Sequence, residues 1–525
     1  MPLSQRLAGI LVHPTSLPGP FGIGDIGPEA YRLLEWMNAA GLAYWQVLPL
    51  GPTSFGDSPY QCFSAMAGNP LLISPDFLVR DGLLDMPEIA PPGLSAQMIE
   101  YGPVIDWKNR LLHLAHERFL GGRGSGLKAA YEKFRSRPDV AFWLDDYALF
   151  LAVKDANGGR AWTSWEADLR AFKTKAVAEA RSTYTDAIDY HRFNQFLFFH
   201  QWDALRAEAH RRNIQIIGDA PIYVAFDSAD VWAHQDLFQL DKSGQPTAVA
   251  GVPPDYFSTT GQLWGNPLYN WKKMARDDYA WWVARMRSIF AQVDVVRLDH
   301  FRGFMGYWAV PAGDETAENG TWIKGPGMAF FESVKKQLGA LPVIAEDLGE
   351  ITTDVDDVRA ALGLPGMIIM QFAWSPANGE LIMPDPGNNF LPHRHDRNMV
   401  VYSGTHDNDT TLGWWRNSST ERERAIMQMY LATDGNLPSW DLIRASMASV
   451  ANTAIIPAQD FLNLDSWARM NFPGRAHNNW AWRLLPDQLD AALADRIRYT
   501  TLMYQRCANP PKEAQPPAPK IAPYK

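Results

Sequence analysis

Short apolar runs recur along the chain, separated by polar, amphipathic or irregular segments. Runs of this length with few polar interruptions are typical of strands that are covered on both faces, as in parallel sheets. They predict eight buried strands, at residues 9–13, 43–49, 215–219, 294–299, 343–347, 366–372, 400–405 and 453–459.

Amphipathic stretches lie between several of these runs. Residues 29–40 (EAYRLLEWMNAA) place Leu33, Leu34 and Trp36 near helical spacing, which predicts a helix with one apolar face. Alternation of strands and helices favours an α/β fold, and right-handed crossovers would close the strands into a barrel. We therefore predict a single catalytic (β/α)8 TIM barrel over residues 1–508, with helical and loop-rich subdomain insertions.

Two long gaps interrupt the alternation. Residues at about 74–213 are rich in charged and helix-forming residues, which predicts a helical subdomain inserted after the second strand. Residues at about 223–282 carry PPDYFSTTGQLWGNPLY and predict a loop-rich insertion over the active site, because long irregular loops in compact domains are usually functional. The tail at residues 509–525 is rich in Pro and Lys and predicts an extended, flexible terminus.

Charge and cysteine content narrow the range of partners and compartments. The formal net charge of -10 argues against nucleic acid and against an anionic membrane surface as partners. With only Cys62 and Cys507, the chain has no disulfide framework, which favours a reducing compartment. Neither a signal peptide nor a run of about 18 apolar residues is present. We expect a cytoplasmic protein without a membrane partner, and these features leave its oligomeric state open.

Three of the predicted strands lead directly into a carboxylate. The segments VRLDHFRG, VIAEDLG and SGTHDND contain Asp299, Glu346 and Asp407. In a (β/α)8 barrel the loops after the strands meet over one mouth, where catalytic residues gather. The sequence carries no phosphate-binding cradle and no metal-ligand cluster, so we expect neither a cofactor nor a metal. Three convergent carboxylates in this setting indicate glycosidic chemistry.

Each acid also has a purely structural interpretation. Arg297 and Asp299 point to the same side of a strand, so they form either a structural ion pair or a nucleophile kept ionised by its neighbour. Glu346 follows an apolar run, where partial desolvation would hold a proton on its carboxyl; the alternative is a cap for the next turn. Asp407 either binds sugar hydroxyls or forms an Asx-turn.

Aromatic residues make up 12% of the chain, and 21 of them are Trp. Core packing and a sugar-binding cleft both account for such a share, because pyranose C–H faces stack on flat aromatic rings. Tyr60, after the second strand, and Trp264, in the long loop segment, are each either a stacking platform or part of a packed wall. His300, next to Asp299, is a candidate donor to a sugar hydroxyl.

Residues 22–27 (GIGDIG) match the G-x-G-x-x-G pattern of dinucleotide-binding folds. That fingerprint requires strand, glycines and helix in immediate succession, with an acid about 20 residues further on. Here the strand ends well before the glycines, and the next strand ends in QVLPLGP without an acid. A glycine-rich loop at the barrel mouth is the preferred interpretation, and a nicotinamide oxidoreductase is the weakest alternative.

Eight specific motifs are spread over most of the chain: GILVHPTSLPGPFGIGDIG, LPLGPTSFGDSPYQCFSAMAGNP, GDAPIYVAFDSADVW, GVPPDYFSTTGQLWGNPLYNW, VRLDHFRGF, IAEDLG, SGTHDNDT and NFPG. Together they resemble the amylomaltases, the 4-α-glucanotransferases of glycoside hydrolase family 77. The resemblance runs from about residue 9 to residue 482 and leaves the tail uncovered. It implies maltooligosaccharides and α-1,4-glucans as substrates, and catalysis without a metal.

The resemblance also implies a role for each site residue. Asp299 is expected to be the nucleophile, Glu346 the general acid/base and Asp407 the transition-state stabiliser. Residues on positions that match the family's sugar-binding and supporting contacts are Tyr60, Asp219, Asp255, Trp264, Arg297 and His406.

The implied reaction is retaining transfer of an α-1,4-glucan segment to the 4-hydroxyl of an acceptor. Such a double displacement requires nucleophile and acid about 5–5.5 Å apart. Two alternatives remain open. The same three carboxylates serve α-amylase-type hydrolases, and a catalytically silent glucan-binding protein would share the aromatic content.

Overall fold

Twelve strands form two sheets in the computed structural model, which describes residues 2–254, 258–349, 351–379, 381–475 and 477–511. They are β1 (Leu7–Leu11), β2 (Tyr44–Gln46), β3 (Gln215–Pro221), β4 (Ala248–Val252), β5 (Gln262–Pro267), β6 (Val295–Asp299), β7 (Gly306–Pro311), β8 (Thr321–Lys324), β9 (Val343–Ala345), β10 (Gly366–Ile369), β11 (Met399–Tyr402) and β12 (Thr453–Pro457).

The larger sheet is the predicted barrel. Its eight strands are parallel and pair in the order β10-β11-β12-β1-β2-β3-β6-β9. Strands β9 and β10 close the ring, where the N–H of Ala345 donates to the carbonyl of Pro365 at 2.9 Å. All eight strands lie at the predicted apolar runs, because both faces of a barrel strand are buried and the signal is strong.

The predicted strand ends are less accurate than the strands themselves. The run at residues 366–372 is a strand only as far as Ile369, and a 3-10 helix occupies Met370–Trp374. Most side chains of that helix are still buried, so apolar character alone does not separate the two conformations.

Helices surround the barrel and fill the long gaps between its strands. The helix predicted at residues 29–40 is the first of them and begins one residue earlier. They are α1 (Pro28–Ala40), α2 (Pro75–Arg80), α3 (Tyr101–Leu120), α4 (Lys128–Arg135), α5 (Leu144–Ala156), α6 (Ala167–Arg170), α7 (Thr174–Thr183), α8 (Thr185–Arg211), α9 (Ala229–Ala233), α10 (Trp271–Met274), α11 (Ala280–Gln292), α12 (Met328–Leu338), α13 (Thr353–Leu362), α14 (Thr411–Gly413), α15 (Glu421–Leu431), α16 (Pro438–Ala448), α17 (Ala458–Phe461) and α18 (Ala491–Met503). Within the described part of the chain, no helix combines the length and apolarity needed to cross a membrane.

The segment between β1 and α1 does not have the layout of a dinucleotide fingerprint. Strand β1 ends at Leu11, and a 3-10 helix at Pro14–Ser16 intervenes before the glycines of residues 22–27. The glycines therefore do not connect a strand directly to a helix, as pyrophosphate binding at a helix N-terminus requires.

The smaller sheet is antiparallel, with the order β5-β4-β7-β8. Two of its strands and helices α9 and α10 lie within residues 223–282, so this segment is more regular than the predicted loop-rich insertion. Strand β4 pairs with β7, which lies beyond barrel strand β6, and such long-range pairing leaves no local period in the sequence. Asp255 lies between β4 and β5, outside the described residues.

Most of the aromatic content is structural. Seven of the 21 tryptophans are less than 2% exposed and belong to the core around the barrel: Trp45, Trp162, Trp202, Trp232, Trp282, Trp374 and Trp482. The high share of Trp therefore does not by itself indicate a sugar-binding cleft.

The closure of the barrel depends on a tight contact between Asp347 and the start of β10. Oδ1 of Asp347 accepts a hydrogen bond from the N–H of Met367 at 2.8 Å, and Oδ2 lies 3.1 Å from Nε of Arg359. A Cβ atom on Gly366 would lie 2.2 Å from Oδ2 of Asp347. Only a glycine therefore fits at this position without moving the carboxylate.

Replacing Gly366 by Ala is expected to destabilise the protein. The new methyl group would displace Asp347 and lower the free energy of unfolding by about 1–3 kcal/mol, as overpacking of a buried site usually does. Urea unfolding followed by tryptophan fluorescence measures the change. The matched control is Gly102→Ala in helix α3, where an added Cβ meets no atom within 4 Å and is expected to be neutral or slightly stabilising. Equal stability of Gly366→Ala and wild type would contradict the contact.

Candidate active site

The centre of the site is a buried arginine shared by two carboxylates. Asp219 on β3 and Arg297 on β6 are direct partners across the two strands. Nη1 of Arg297 donates to both oxygens of Asp219 at 2.9 and 2.7 Å, and Nη2 lies 2.8 Å from Oδ1 of Asp299. The side chain of Asp219 is 0% exposed, whereas that of Asp299, at the strand end, is 29% exposed. Asp299 is therefore the acid of this trio that faces the barrel mouth.

Glu346 comes directly after β9, next to the strand that carries Asp299. Its carboxylate accepts hydrogen bonds from the N–H of His300 at 2.7 Å and from the N–H of Leu348 at 3.0 Å. These bonds fix the carboxyl group with respect to the residue that follows Asp299. The carboxylate of Glu346 thus links the segment after β9 to the segment after β6.

Asp407 lies in the loop after β11 and is held from the opposite side. Oδ1 accepts from Nδ2 of Asn471 at 2.7 Å, and the carbonyl of Asp407 accepts from Nη2 of Arg469 at 2.6 Å. Its side chain is 43% exposed, and Oδ2 lies 3.3 Å from Nε2 of His406. One oxygen is therefore anchored, while the other points toward the histidine.

Tyr60 connects the arginine pair to the loop of Asp407. Its hydroxyl donates to Oδ2 of Asp219 at 2.8 Å and lies 2.8 Å from Nε2 of His406. The rings of Tyr60 and His406 stack with an interplanar angle of 14°, and Trp480 packs against both. One face of Tyr60 is therefore covered by protein.

His300 has an unusual conformation next to the acids. Its φ of 54° is in the left-handed region, and its ring meets the edge of Trp264 at a centroid distance of 4.9 Å. Burial and the nearby Arg302 lower the pKa of His300 to about 3, so the imidazole is neutral. No described residue supplies a hydrogen-bond partner to its Nε2. This nitrogen is itself buried within the protein.

Burial gives the carboxyl groups of Asp299 and Glu346 different pKa values. Desolvation raises the pKa of Asp299 to about 6, against the opposing charge of Arg297. Desolvation raises the pKa of Glu346 to about 8; Arg297 opposes this rise and the charge of Asp299 adds to it. The two groups titrate as a pair, so the first proton leaves mainly from Asp299. At neutral pH the site therefore holds an ionised Asp299 beside a protonated Glu346.

Comparison with known proteins identifies the family. A sequence model of the family described as 4-alpha-glucanotransferase, glycoside hydrolase family 77, matches residues 12–488. The chain belongs to this family.

Its relatives match over nearly their whole length. The 4-alpha-glucanotransferase of Thermus thermophilus is 48% identical over 502 residues, which is 94% of this chain and 97% of that protein. The 4-alpha-glucanotransferase of Synechocystis sp. is 44% identical over 510 residues, covering 96% and 99% of the two chains. The amylomaltase from Streptococcus agalactiae in complex with acarbose has 36% identity and a TM-score of 0.91, over 96% of this chain and 100% of that one. These matches confirm the family resemblance and the barrel fold.

Contacts connect seven of the predicted site residues that the structure describes. Asp219, Arg297, Asp299 and Glu346 lie on or just after adjacent strands, and Tyr60, His406 and Asp407 join them through hydrogen bonds or close contacts. Asp255 belongs to the same prediction but lies outside the described residues.

Three further residues contact the predicted site residues and were not predicted from the sequence. Asn471 and Arg469 hold Asp407, and Trp480 packs on Tyr60 and His406. Asn471 begins the NFPG motif, so a signal was present, but no spacing rule connects it to a loop more than 60 residues earlier. Only the folded chain shows that contact.

The raised pKa of Glu346 makes the stability of the protein depend on pH. Between pH values of about 4.5 and about 8, the folded state keeps a proton that the unfolded state has lost, so stability falls as pH rises. Glu346→Gln removes this ionisation. Relative to wild type, the variant is expected to gain about 1–3 kcal/mol at alkaline pH and to lose that gain in acid.

Urea unfolding of both proteins across this pH range tests the expectation. Glu332→Gln, an exposed position on helix α12, is the matched control and should change stability by less than about 0.5 kcal/mol at every pH. A difference between Glu346→Gln and wild type that does not grow with pH would contradict the proton assignment.

Proposed function

We propose that the protein is a 4-α-glucanotransferase that moves α-1,4-glucan segments by a retaining double displacement. The observation that carries this proposal is the pair of Asp299 and Glu346, which sit on adjacent strand ends with their pKa values pushed apart. A retaining enzyme needs an ionised nucleophile beside a protonated acid at the same pH. Maltooligosaccharides and longer α-1,4-glucans are its donors and acceptors.

In the first step, an oxygen of Asp299 forms a bond to the anomeric carbon of the donor glucan. The bond from that carbon to the leaving sugar breaks, and Glu346 gives its proton to the departing 4-oxygen. Arg297 stays paired with both Asp219 and Asp299, which keeps the nucleophile ionised and aimed. The products are a covalent glycosyl-enzyme and the released part of the donor, which now carries a free 4-hydroxyl.

In the second step, the 4-hydroxyl of an acceptor glucan replaces the leaving sugar. Glu346, now a carboxylate, takes the hydroxyl proton while the oxygen attacks the anomeric carbon and releases Asp299. The two N–H donors on Glu346, from His300 and Leu348, stabilise the carboxylate during this half of the cycle. Both acids end in their starting protonation states.

The surrounding residues bind the sugar that reacts. Asp407 and His406 offer a carboxylate oxygen and an imidazole edge to ring hydroxyls, and the partly exposed Asp407 stabilises the oxocarbenium-like transition state. His300 is proposed as a further contact to the sugar, with Trp264 beside it. Asp255, Trp264 and the rest of the segment at residues 251–269 are proposed to hold the acceptor and exclude water, which favours transfer over hydrolysis.

Maltotriose as the only substrate separates transfer from hydrolysis. We expect glucose together with a ladder of longer maltooligosaccharides, while the total number of reducing ends stays constant. A steady rise in reducing ends would instead indicate a hydrolase of the α-amylase type.

The variant Asp299→Asn is expected to lose at least about 10³-fold in kcat, because it lacks the nucleophile. Calorimetry should show that it still binds maltooligosaccharides. Full activity of this variant would overturn the assignment of the nucleophile. Binding of maltotriose by wild type without any product would instead point to a silent glucan-binding protein.

The pH dependence of kcat/KM for maltotriose should be bell-shaped. Activity falls below about pH 6 as Asp299 gains a proton, and above about pH 8 as Glu346 loses its proton. Each limb should approach a tenfold change per pH unit away from the optimum. A profile that remains flat through both limbs would contradict the roles given to these acids.

A further inference from the structure

The hydroxyl of Tyr60 occupies a position that determines where a proton lies. It is 2.8 Å from a carboxylate oxygen of Asp219 and 2.8 Å from Nε2 of His406. A phenol carries one hydrogen and can donate it to only one of these two neighbours. The other neighbour must donate to the phenol oxygen.

The chemistry of Asp219 decides which neighbour receives the hydrogen. Both of its oxygens accept from Nη1 of Arg297, and its side chain is 0% exposed. A carboxylate paired with a guanidinium in this way is an acceptor only. Tyr60 therefore donates to Asp219, and its oxygen accepts from His406. Burial and the neighbouring carboxylates also raise the pKa of Tyr60, which keeps the phenol protonated.

The consequence falls on His406. Its Nε2 must carry a hydrogen, which points to the phenol oxygen of Tyr60, and Oδ2 of Asp407 lies 3.3 Å from the same nitrogen. The imidazole is stacked on Tyr60 and packed by Trp480, so it cannot easily rotate to exchange its two nitrogens. The histidine that contacts Asp407 thus has its hydrogen position set by a tyrosine on another loop.

We infer that Tyr60 and Asp219 are positioning residues, which fix His406 in the form that carries a hydrogen on Nε2, beside Oδ2 of Asp407. Asp219, fully enclosed and fully bonded, reaches no sugar. The role of Tyr60 then resides in its hydroxyl as well as in its ring. This inference rests on the proposed function for its kinetic consequence, but the hydrogen position on His406 is a property of the free protein.

The test is Tyr60→Phe, which keeps the ring and removes the hydroxyl. Nitrogen-15 NMR of histidine-labelled protein reports which imidazole nitrogen carries hydrogen, and His406→Asn identifies the signal by its loss. Wild type is expected to show hydrogen on Nε2 of His406, and Tyr60→Phe a mixture of both forms. We expect kcat to fall on the order of 10²-fold, as for a misplaced catalytic group. KM should change less than about threefold, because the ring remains.

Helix α4 offers a matched control with the same chemistry away from the acids. The hydroxyl of Tyr131 donates to Oδ1 of Asp189 at 2.7 Å, and Nε2 of His116 lies 3.1 Å from Oδ2 of the same residue. Tyr131→Phe therefore removes an equivalent bond. It should lower stability without changing the His406 signal or reducing kcat by more than about threefold.

Three results would overturn the inference. One is a wild-type spectrum with hydrogen on Nδ1 of His406, which is decisive even when Tyr60→Phe does not fold. The others are an unchanged His406 signal in Tyr60→Phe, and an equal loss of kcat in Tyr131→Phe. If wild type shows hydrogen on Nε2 but no glucan transfer, the proposed function fails while the hydrogen assignment stands.

Discussion

The site depends on one buried ion pair with an extra partner: the guanidinium of Arg297 between Asp219 and Asp299. A buried arginine without a carboxylate would be costly, and two buried carboxylates without a cation would not both ionise. The shared guanidinium offsets the charge of both carboxylates, of which Asp219 is enclosed and Asp299 is partly open to the mouth. The buried pair of Asp219 on β3 and Arg297 on β6 therefore holds Asp299 in place, and the other acids lie around it.

The loops that carry the remaining site residues are held by contacts from distant parts of the chain. Asp460 on helix α17, just after β12, accepts from Ser403 and from both the N–H and the hydroxyl of Thr411, on either side of the loop of Asp407. Asn471 adds a contact to Asp407 itself. These contacts all join the segment after β11 to the segment after β12, so two adjacent barrel strands hold a loop that has little regular structure of its own.

The features that could be predicted from the sequence are those set by neighbouring residues in the chain. Eight apolar runs located eight strands, and the acids that follow three of them marked the mouth. The small sheet was not predicted, because β4 pairs with β7 across a barrel strand and two intervening helices. The same limit hid Asn471 and Trp480, which meet the site through tertiary contacts alone. The roles of the acids came from family motifs, since spacing alone also allowed capping and structural ion pairs.

The small sheet contacts the residues around two of the candidate acids. Strand β7 begins shortly after Asp299, and β5 carries Trp264 against His300, whose N–H holds Glu346. Residues 253–261 connect β4 to β5 in the chain. A change in the pairing of these two strands would therefore reach Glu346 through Trp264 and His300. The small sheet is thus a second route, beside the barrel itself, by which this carboxyl group can be shifted.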